Sequence, residues 1–128
     1  MVSRISHTTL DAQDPYTLSL FWSAVLGYAE DPDDPNMPEH EENMIFSPDR
    51  SHRVLFIRVP EAKSGKNRMH FDLIPTDRTR DEEIERVRGL GATDVHDLRE
   101  PDGGWLVMAD PEGNEFCILR GDIERAEA

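Results

Sequence analysis

The chain of 128 residues carries a formal net charge of −13, and 37% of its residues are hydrophobic. This length allows one compact domain or two half-units that share a core, and the negative charge argues against binding to nucleic acids or anionic membranes. A single cysteine excludes an internal disulfide, no apolar run could cross a bilayer, and the absence of a signal-peptide core makes a cytoplasmic location the expectation.

The first predicted strand covers Arg4–Asp11, which is rich in β-compatible residues. A helix follows it, because Asp14 is a favourable N-cap and Pro15 suits the first helical position. Gly27 is a typical helix terminator. Apolar residues at helical spacing form a stripe that would cover a sheet: Leu18, Phe21, Trp22, Val25 and Leu26.

Residues 30–42 contain three prolines and many acids, which predicts a mobile loop with little to bury. Two strands are predicted after it, Asn43–Ser47 and Arg53–Val59, with a turn at Pro48 between them. Glu61–Lys66 has the small and charged residues of an exposed linker. This composition indicates a boundary between two units near residue 62.

The second half of the chain repeats this order of elements. A strand is predicted at Arg68–Ile74, and Asp77 is the expected N-cap of a helix that ends at Gly91. The segments after the helix are separated by turns rich in proline and glycine. They are the predicted strands Ala92–Leu98, Trp105–Ala109 and Glu115–Arg120, and a short helix or tail at Asp122–Ala128.

A sequence repeat relates the two halves. At a constant offset of 63 residues, His7, Leu10, Asp14 and Pro48 correspond to His70, Leu73, Asp77 and Pro111. The repeat predicts an α+β fold of two βαβββ units, residues 1–62 and 63–121, followed by a tail at 122–128. Their sheets would join into one curved mixed sheet with helices outside and a concave face inside, where small-molecule sites usually lie.

The last predicted strand has two different faces. Phe116 and Ile118 form an apolar side, whereas Glu115, Cys117 and Leu119 form a side that suits a lined cavity. Glu115 is a candidate metal ligand or general base, or else a solvated carboxylate at the rim. Cys117 is a candidate for ligand binding or for a nucleophile, or else a buried residue that packs like a small hydrophobe.

Three further residues are candidates for a ligand site. Asp72 shares a strand face with His70 and could orient its imidazole, or could simply accept hydrogen bonds from the backbone. Trp105 and Phe56 are the aromatic candidates for a pocket wall, although ordinary core packing explains them equally well. No phosphate-binding loop, serine nucleophile motif or Cys-x-x-Cys pair is present, so those chemistries are set aside.

Four segments resemble the vicinal-oxygen-chelate superfamily, which includes glyoxalase I, fosfomycin-resistance proteins, bleomycin-binding proteins and extradiol dioxygenases. The segments are HTTLDAQDP, FWSAVLGY, KNRMHFDL and ADPEGNEFCIL, and they cover nearly the whole chain in the expected order. Within the superfamily, the chain is most similar to small glyoxalase-like domain proteins. The resemblance implies the paired-unit fold but leaves the chemistry open, because one fold hosts many activities.

The resemblance also implies a divalent metal on the concave face, held by one His from each unit and by a Glu. His7 and His70 match the two histidines, but the usual Glu position, seven residues after Asp110, is Cys117. The third ligand would therefore be Glu115 or Cys117. Two imidazoles and a carboxylate suit Fe, Zn, Mn or Ni, whereas a thiolate would favour Zn or Cu.

Three functions are compatible with the sequence. The first is a protein that binds a small organic ligand on the concave sheet face. The second is a metal-dependent lyase, isomerase or dioxygenase, with Glu115 as a catalytic group. The third is a non-catalytic interaction module. A homodimer is also expected, because half-units leave open sheet edges.

Overall fold

The computed structural model describes residues 1–126. The chain divides into two compact units, residues 1–62 and the part that begins at Lys63, and each unit has its own mixed sheet. Two small sheets and three helices confirm the predicted α+β class. Within residues 1–126, every helix is too short or too polar to cross a membrane.

The first unit consists of three strands and one helix. They are β1 (Thr8–Ala12), α1 (Pro15–Leu26), β2 (Glu42–Phe46) and β3 (Arg53–Arg58). β3 is the central strand, parallel to β1 and antiparallel to β2. Because a tight hairpin cannot join parallel strands, α1 lies in the long connection between β1 and β3.

The first helix begins and ends at its predicted capping residues. The Asp14 carboxylate accepts a hydrogen bond from the Thr17 backbone N–H at 3.1 Å, and Gly27 ends the helix with a φ of 70°. The apolar side of the helix and the sheet together form a buried core. Its residues are Leu18, Phe21, Trp22, Val25, Ile45, Val54 and Phe56. Each large side chain buried in this way stabilises the fold by about 1.5–3 kcal/mol.

One element of the first unit is much shorter than the βαβββ pattern predicts. The strand expected after α1 is a single antiparallel bridge, in which Ala29 and Phe46 exchange backbone hydrogen bonds at 2.8 and 2.9 Å. Prolines at positions 32, 35 and 38 lack an N–H group, so the chain beyond Ala29 is poorly suited to extend a ladder. This single bridge therefore takes the place of the strand that the βαβββ pattern predicts after α1.

The loop between α1 and β2 makes specific contacts, although the sequence indicated little that would hold it. The Asn36 side-chain NH2 donates to the Met44 carbonyl at 2.9 Å, and its oxygen accepts from the Met44 N–H at 3.0 Å. The Asn36 backbone N–H donates to the Glu30 carboxylate at 2.7 Å. The side-chain amide thus replaces a neighbouring strand for part of β2 and ties the loop to the sheet.

The second unit has four strands and two helices. They are β4 (Asp72–Leu73), α2 (Arg80–Leu90), β5 (Thr93–Asp97), β6 (Trp105–Ala109), β7 (Glu115–Leu119) and α3 (Asp122–Ala126). The strand order is β4-β7-β6-β5, with β4 parallel to β7 and the other neighbours antiparallel. β7 therefore has a neighbouring strand on both sides, and β4 pairs with it at Cys117 and Ile118. The predicted tail is helical as far as Ala126, and its last two residues lie outside the described part of the chain.

Two boundaries in the second unit differ from the predictions. The strand expected at Arg68–Ile74 forms only at Asp72–Leu73. The N-cap of α2 is Thr79 rather than Asp77, because Thr79 and Glu82 form a reciprocal capping box: each side chain accepts a hydrogen bond from the other residue's backbone N–H. Asp77 instead pairs with the Arg78 guanidinium at 3.0 Å.

Arg80, the first residue of α2, connects this helix to the turn between β5 and β6. Its buried guanidinium donates to the carbonyl oxygens of Glu100 at 3.2 Å and Gly103 at 2.5 Å. Gly104 in the same turn has a φ of 74°, and a Cβ there would lie 2.1 Å from the Leu98 carbonyl oxygen. The turn therefore requires glycine at this position, and it fixes the point where β6 begins with Trp105.

Candidate functional site

The two faces of β7 separate as the alternation predicts. Phe116 and Ile118 are fully buried on the side that packs with α2. On the other face, Glu115 and Leu119 are half-buried, and Cys117 is 4% exposed. This second face is therefore the side of the sheet where polar side chains remain available for chemistry.

Strand register places residues of three strands around Cys117. Asp72 of β4 is its partner on one side, and Val107 of β6 is its partner on the other. Trp105 pairs with Leu119 and is 42% exposed. Since directly paired residues share a sheet face, these side chains form one surface that is apolar towards β6 and polar towards β4.

His70, Asp72 and Cys117 place three different donor atoms close together. The His70 Nε2 atom lies 3.2 Å from Asp72 Oδ1, and with the Cys117 sulfur all three ligand atoms lie within 4.8 Å of one another. The side chains of His70 and Asp72 are 38% and 57% exposed, whereas Cys117 is buried. This geometry would let one cation contact all three donors and still face solvent.

Burial, followed by the charge and hydrogen bonding of Asp72, raises the pKa of the Cys117 thiol to about 11, against a weaker opposing effect of Lys66. At neutral pH the sulfur is therefore a protonated thiol beside a carboxylate. A thiol in this state is a poor nucleophile. A bound cation would displace the proton and convert the sulfur to a ligand.

Glu115 lies outside this group, because other residues hold its carboxylate. Lys63 Nζ is 2.8 Å from Glu115 Oε2, and the Asn67 backbone N–H donates to the same oxygen at 3.3 Å. Burial alone would raise the pKa of Glu115, but the hydrogen bonds from Lys63 and Asn67 and the Lys63 charge together lower it. Glu115 is thus an ionised and paired carboxylate at the start of β7.

Asn67 also binds the backbone of Glu115. Its side-chain oxygen accepts from the Glu115 N–H at 2.9 Å, and its NH2 group donates to the Glu115 carbonyl at 3.4 Å and to the Met69 carbonyl. Neither Lys63 nor Asn67 was predicted, because the segment EAKSGKN has the composition of an exposed linker. The one usable signal was Glu115 itself, since a carboxylate on a half-buried sheet face requires a cation or N–H partner.

The remaining predicted site residues, His7 and Phe56, lie in the first unit. His7 directly precedes β1, and its Nδ1 atom is 2.8 Å from the Ser6 hydroxyl oxygen. Phe56 is fully buried in the core of its unit and has no exposed surface to offer a ligand. A common ion for His7 and His70 stays a prediction, as does the pocket role of Phe56.

A polar cluster in the first unit was not indicated by the sequence. His52 Nδ1 lies 2.7 Å from the Tyr28 hydroxyl oxygen, and His52 Nε2 lies 3.2 Å from the Thr8 hydroxyl oxygen. Burial raises the pKa of Tyr28, and the charge of Asp49 adds to the effect. Because both ring nitrogens of His52 are engaged, this cluster links β1 to the turn before β3 and suits a structural role.

The chain matches a known family in sequence and solved proteins in structure. The model of the glyoxalase-like domain family matches residues 7–119. No curated protein matches the chain in sequence. Among solved structures, the fosfomycin resistance protein FosX from Mesorhizobium loti has a TM-score of 0.70 and 20% identity, covering 100% of both chains.

Two further structures illustrate the range of similar proteins. FosX from Listeria monocytogenes, solved with Mn(II) and sulfate, has a TM-score of 0.67 and 18% identity and covers 100% of both chains. A glyoxalase/bleomycin resistance protein/dioxygenase family enzyme from Burkholderia phytofirmans PsJN has a TM-score of 0.65 and 21% identity, covering 89% of this chain and 95% of that one.

These structural similarities establish the fold and leave the activity open, because the identities are low and one fold hosts many functions. The family match extends over most of the sequence, from His7 to Leu119. Both findings agree with the resemblance to the vicinal-oxygen-chelate superfamily seen in the sequence. The chain belongs to the glyoxalase-like domain family of that superfamily.

Proposed function

We propose that this chain binds a small organic molecule on the β4–β7–β6 face of its second unit. The observation that carries the proposal is Trp105, which remains 42% exposed at the start of β6. An exposed indole on a sheet face gains stability when a ligand removes its apolar surface from water, and its N–H group can also bind polar ligand atoms. The neighbouring Gly104 turn holds Trp105 at this position.

The surroundings of Trp105 suit a ligand with an apolar body and a polar end. Val107 and Leu119 lie beside Trp105 and add apolar surface. Towards β4, His70 and Asp72 supply an imidazole and a carboxylate for hydrogen bonding. The carboxylate and the net charge of −13 favour a cationic or hydrogen-bond-donating ligand over an anionic one.

Proteins of the same fold bind small organic molecules. A mutant of FosX from Listeria monocytogenes, with a TM-score of 0.70 to this chain, was solved with Mn(II) and 1S,2S-dihydroxypropylphosphonic acid. That ligand is an anion. The Asp72 carboxylate on the same face and the net charge of −13 therefore support a different class of ligand for this chain.

Proflavine, a planar aromatic cation, is a suitable first probe of the proposed face. In a Trp22→Phe background, Trp105 is the one remaining tryptophan, and we expect saturable quenching of its fluorescence. When the fluorescence of the dye is followed instead, Trp105→Ala should weaken binding at least about tenfold, or about 1.4 kcal/mol.

Leu20→Ala is the matched control for Trp105→Ala. Leu20 is an apolar residue of α1 that is 53% exposed, so its removal should leave the affinity for proflavine unchanged. Equal affinities of wild type and Trp105→Ala would contradict the proposal. So would the lack of saturable binding for both proflavine and its uncharged relative acridine.

A metal-dependent lyase, isomerase or dioxygenase is a second candidate, favoured by the convergence of His70, Asp72 and Cys117. A bound divalent metal would supply a Lewis acid for substrate oxygens. In this arrangement Asp72 would orient the His70 imidazole through their 3.2 Å contact. The set that the family implies, with Glu115 as third ligand, fits less well because Lys63 holds that carboxylate. Activity that requires added metal and disappears in His70→Ala would support this candidate.

We also propose that the protein is a homodimer located in the cytoplasm. β5 is an edge strand of its sheet, its five residues are all exposed, and Val95 within it is 54% exposed. An open edge with an apolar side chain favours pairing with a second chain. Light scattering at micromolar concentration should give twice the chain mass of 14.6 kDa, and a mass near 14.6 kDa would contradict the dimer.

A further inference from the structure

We infer that the ligand of the sheet face around Trp105 is an elongated cationic amphiphile that lies across the strands. Its apolar body extends from Ile74 to Leu98, and its charged head contacts Asp72. This ligand class rests on the proposed function and makes it specific in length, direction and charge. It follows from a row of apolar residues that crosses all four strands of the second unit.

Backbone pairing places four apolar side chains side by side. Trp105 is the register partner of Leu119, and Trp105 and Leu98 exchange backbone hydrogen bonds at 2.9 and 3.3 Å. On the other side of β7, the pairing with β4 runs as far as Leu73, so the next residue, Ile74, comes opposite Leu119. Directly paired residues share a sheet face, so these four side chains form one apolar strip, Ile74–Leu119–Trp105–Leu98.

Ile74 keeps the direction of β4, although the strand itself ends at Leu73. Pro75 follows Ile74, and a residue before proline is restricted to extended conformations. In an extended chain, side chains two residues apart point to the same side. Ile74 therefore lies on the same side of the sheet as Asp72.

The apolar strip is open to water along its length. Ile74, Trp105 and Leu98 are 43%, 42% and 41% exposed, and Leu119 is half-buried. Single exposed apolar side chains are ordinary on protein surfaces, but four adjacent ones form a contiguous patch. Neighbouring strands are about 4.8 Å apart, so the strip is about 14 Å long. A single-ring ligand would leave much of it in water, whereas an elongated ligand covers it.

The neighbouring row of the sheet determines the direction and the charge of the ligand. This row consists of Asp72, Cys117, Val107 and His96. It thus has a carboxylate at its β4 end and an imidazole at its β5 end. Within residues 1–126, no lysine or arginine lies within ion-pair distance of Asp72, whose side chain is 57% exposed. A cationic head therefore lies at the β4 end, and the apolar body points towards Leu98.

Alkylammonium ions of different length are the probes, and isothermal titration calorimetry on the full chain measures their affinities. A hexyl chain covers less than two strand spacings, whereas a decyl chain covers nearly three. Each CH2 group that leaves water on one side should raise the affinity about twofold, so decylammonium should bind about 15-fold more tightly than hexylammonium. Far-ultraviolet circular dichroism checks that neither probe unfolds the protein.

Leu98→Ala distinguishes the two lengths. It should weaken the binding of decylammonium about fivefold and leave that of hexylammonium unchanged, because only the longer chain reaches β5. Ile74→Ala should weaken both probes about threefold, since both cover the β4 end of the strip. Leu90→Ala is the matched control, because Leu90 is 38% exposed at the end of α2 and lies outside the strip. Its removal should leave both affinities unchanged.

Decyl sulfate tests the charge of the head, because it has the same chain with the opposite charge. It should bind at least about tenfold more weakly than decylammonium. Asp72→Asn removes the negative charge nearest to the head and should reduce this preference at least about threefold.

Four results would overturn the inference: no binding of either alkylammonium ion, equal affinities for the two lengths, no effect of Leu98→Ala on decylammonium, or an unchanged charge preference in Asp72→Asn. The titration of proflavine with Trp105→Ala tests the proposed function separately. If that variant weakens proflavine binding while one of these four results is found, the face binds ligands and only the ligand class is wrong.

Discussion

The two units build the same sheet but present different chemistry on it. The first has the strand order β1-β3-β2, with the Ala29 bridge beside β2, and the second has the order β4-β7-β6-β5. In each unit the first and last strands form the parallel pair. The parallel register pairs Thr9 with Leu55 in the first unit and Asp72 with Cys117 in the second. These two pairs therefore occupy equivalent positions.

The helix side of the two sheets is alike, whereas the opposite side is not. Val54 and Phe56 correspond to Phe116 and Ile118, and all four are fully buried. Where the second unit has a carboxylate and a thiol, the first has a hydroxyl and a hydrocarbon. In both units the sheet face that packs against the helix must be apolar. The opposite face of each sheet is under no such constraint. The two units thus have the same kind of core, and the carboxylate and thiol lie in the second unit.

The largest expected effect concerns the two tryptophans, one in each unit. Trp22 is 1% exposed in the core beneath α1, and Trp22→Ala should lower the free energy of unfolding by about 3–5 kcal/mol. Trp105→Ala should cost less, about 1 kcal/mol, because 42% of its surface is already exposed to solvent. Urea unfolding followed by circular dichroism measures both losses. Similar urea midpoints for Trp22→Ala and Trp105→Ala would contradict the assignment of Trp22 to the core and of Trp105 to an exposed ligand face.

A second comparison uses two glycines with positive φ. A Cβ added at Gly27, which ends α1, would have nothing within 4 Å, whereas a Cβ at Gly104 would meet the Leu98 carbonyl oxygen at 2.1 Å. Gly27→Ala should therefore cost about 1 kcal/mol, from the strained backbone alone. Gly104→Ala should cost about 3 kcal/mol, because the turn must also move. Thermal unfolding should rank the variants in this order, and a reversed order would refute the proposed constraint.

A third comparison uses the N-caps of the two main helices. Asp14→Ala in the first unit and Thr79→Ala in the second each remove a side-chain acceptor for a backbone N–H. Each should cost about 1 kcal/mol at neutral pH. Asp14→Asn and Thr79→Ser retain an acceptor and should recover most of the loss in urea unfolding. If Thr79→Ala were neutral while Asp77→Ala was costly, Asp77 would be the true cap.

The smallest expected effect is the pH dependence contributed by Glu115. Its pKa in the folded state is lowered from the ordinary value of 4.5, so its ionised form stabilises the fold above that pH. This contribution is lost as the pH falls below 4.5 through the folded-state pKa. At neutral pH Glu115→Gln should cost less than about 1 kcal/mol. The difference between wild type and variant should shrink in acid.

Glu39→Gln provides the control for this measurement, because Glu39 is an exposed glutamate in the loop of the first unit. Its substitution should change stability little at any pH between 3 and 7 (roughly the range that spans carboxylate titration). A constant difference between wild type and Glu115→Gln across that range would show that the Lys63 pairing does not stabilise the fold.

Local signals in the sequence predicted much of the fold. Asp14 and Gly27 bound α1, and the alternation of β7 sorts Phe116 from Cys117, because capping and strand periodicity act over a few residues. The cap of α2 was predicted wrongly, because Asp77 was chosen and the actual cap, Thr79, lies two residues later. The helix begins after Thr79, where a capping box forms, and not after Asp77, which the repeat indicated.

The candidate site was less predictable, because its contacts join distant parts of the chain. His70, Asp72 and Cys117 were each singled out from the sequence, but their meeting depends on the register of a parallel strand pair. The pairing of Glu115 with Lys63 depends on how the segment before β4 folds onto β7. Neither periodicity nor composition reports such a long-range alignment.

Asn67 gives the second unit a means to align its shortest strand. β4 has two residues, so few ladder hydrogen bonds oppose a shifted pairing with β7. A slip of one residue would turn Asp72 to the opposite face and would separate the Asn67 amide from both backbone groups of Glu115. The amide therefore favours the native alignment of β4 with β7 over a shifted one. The same alignment places Asp72 beside Cys117, so the amide contacts and the donor group require one and the same register.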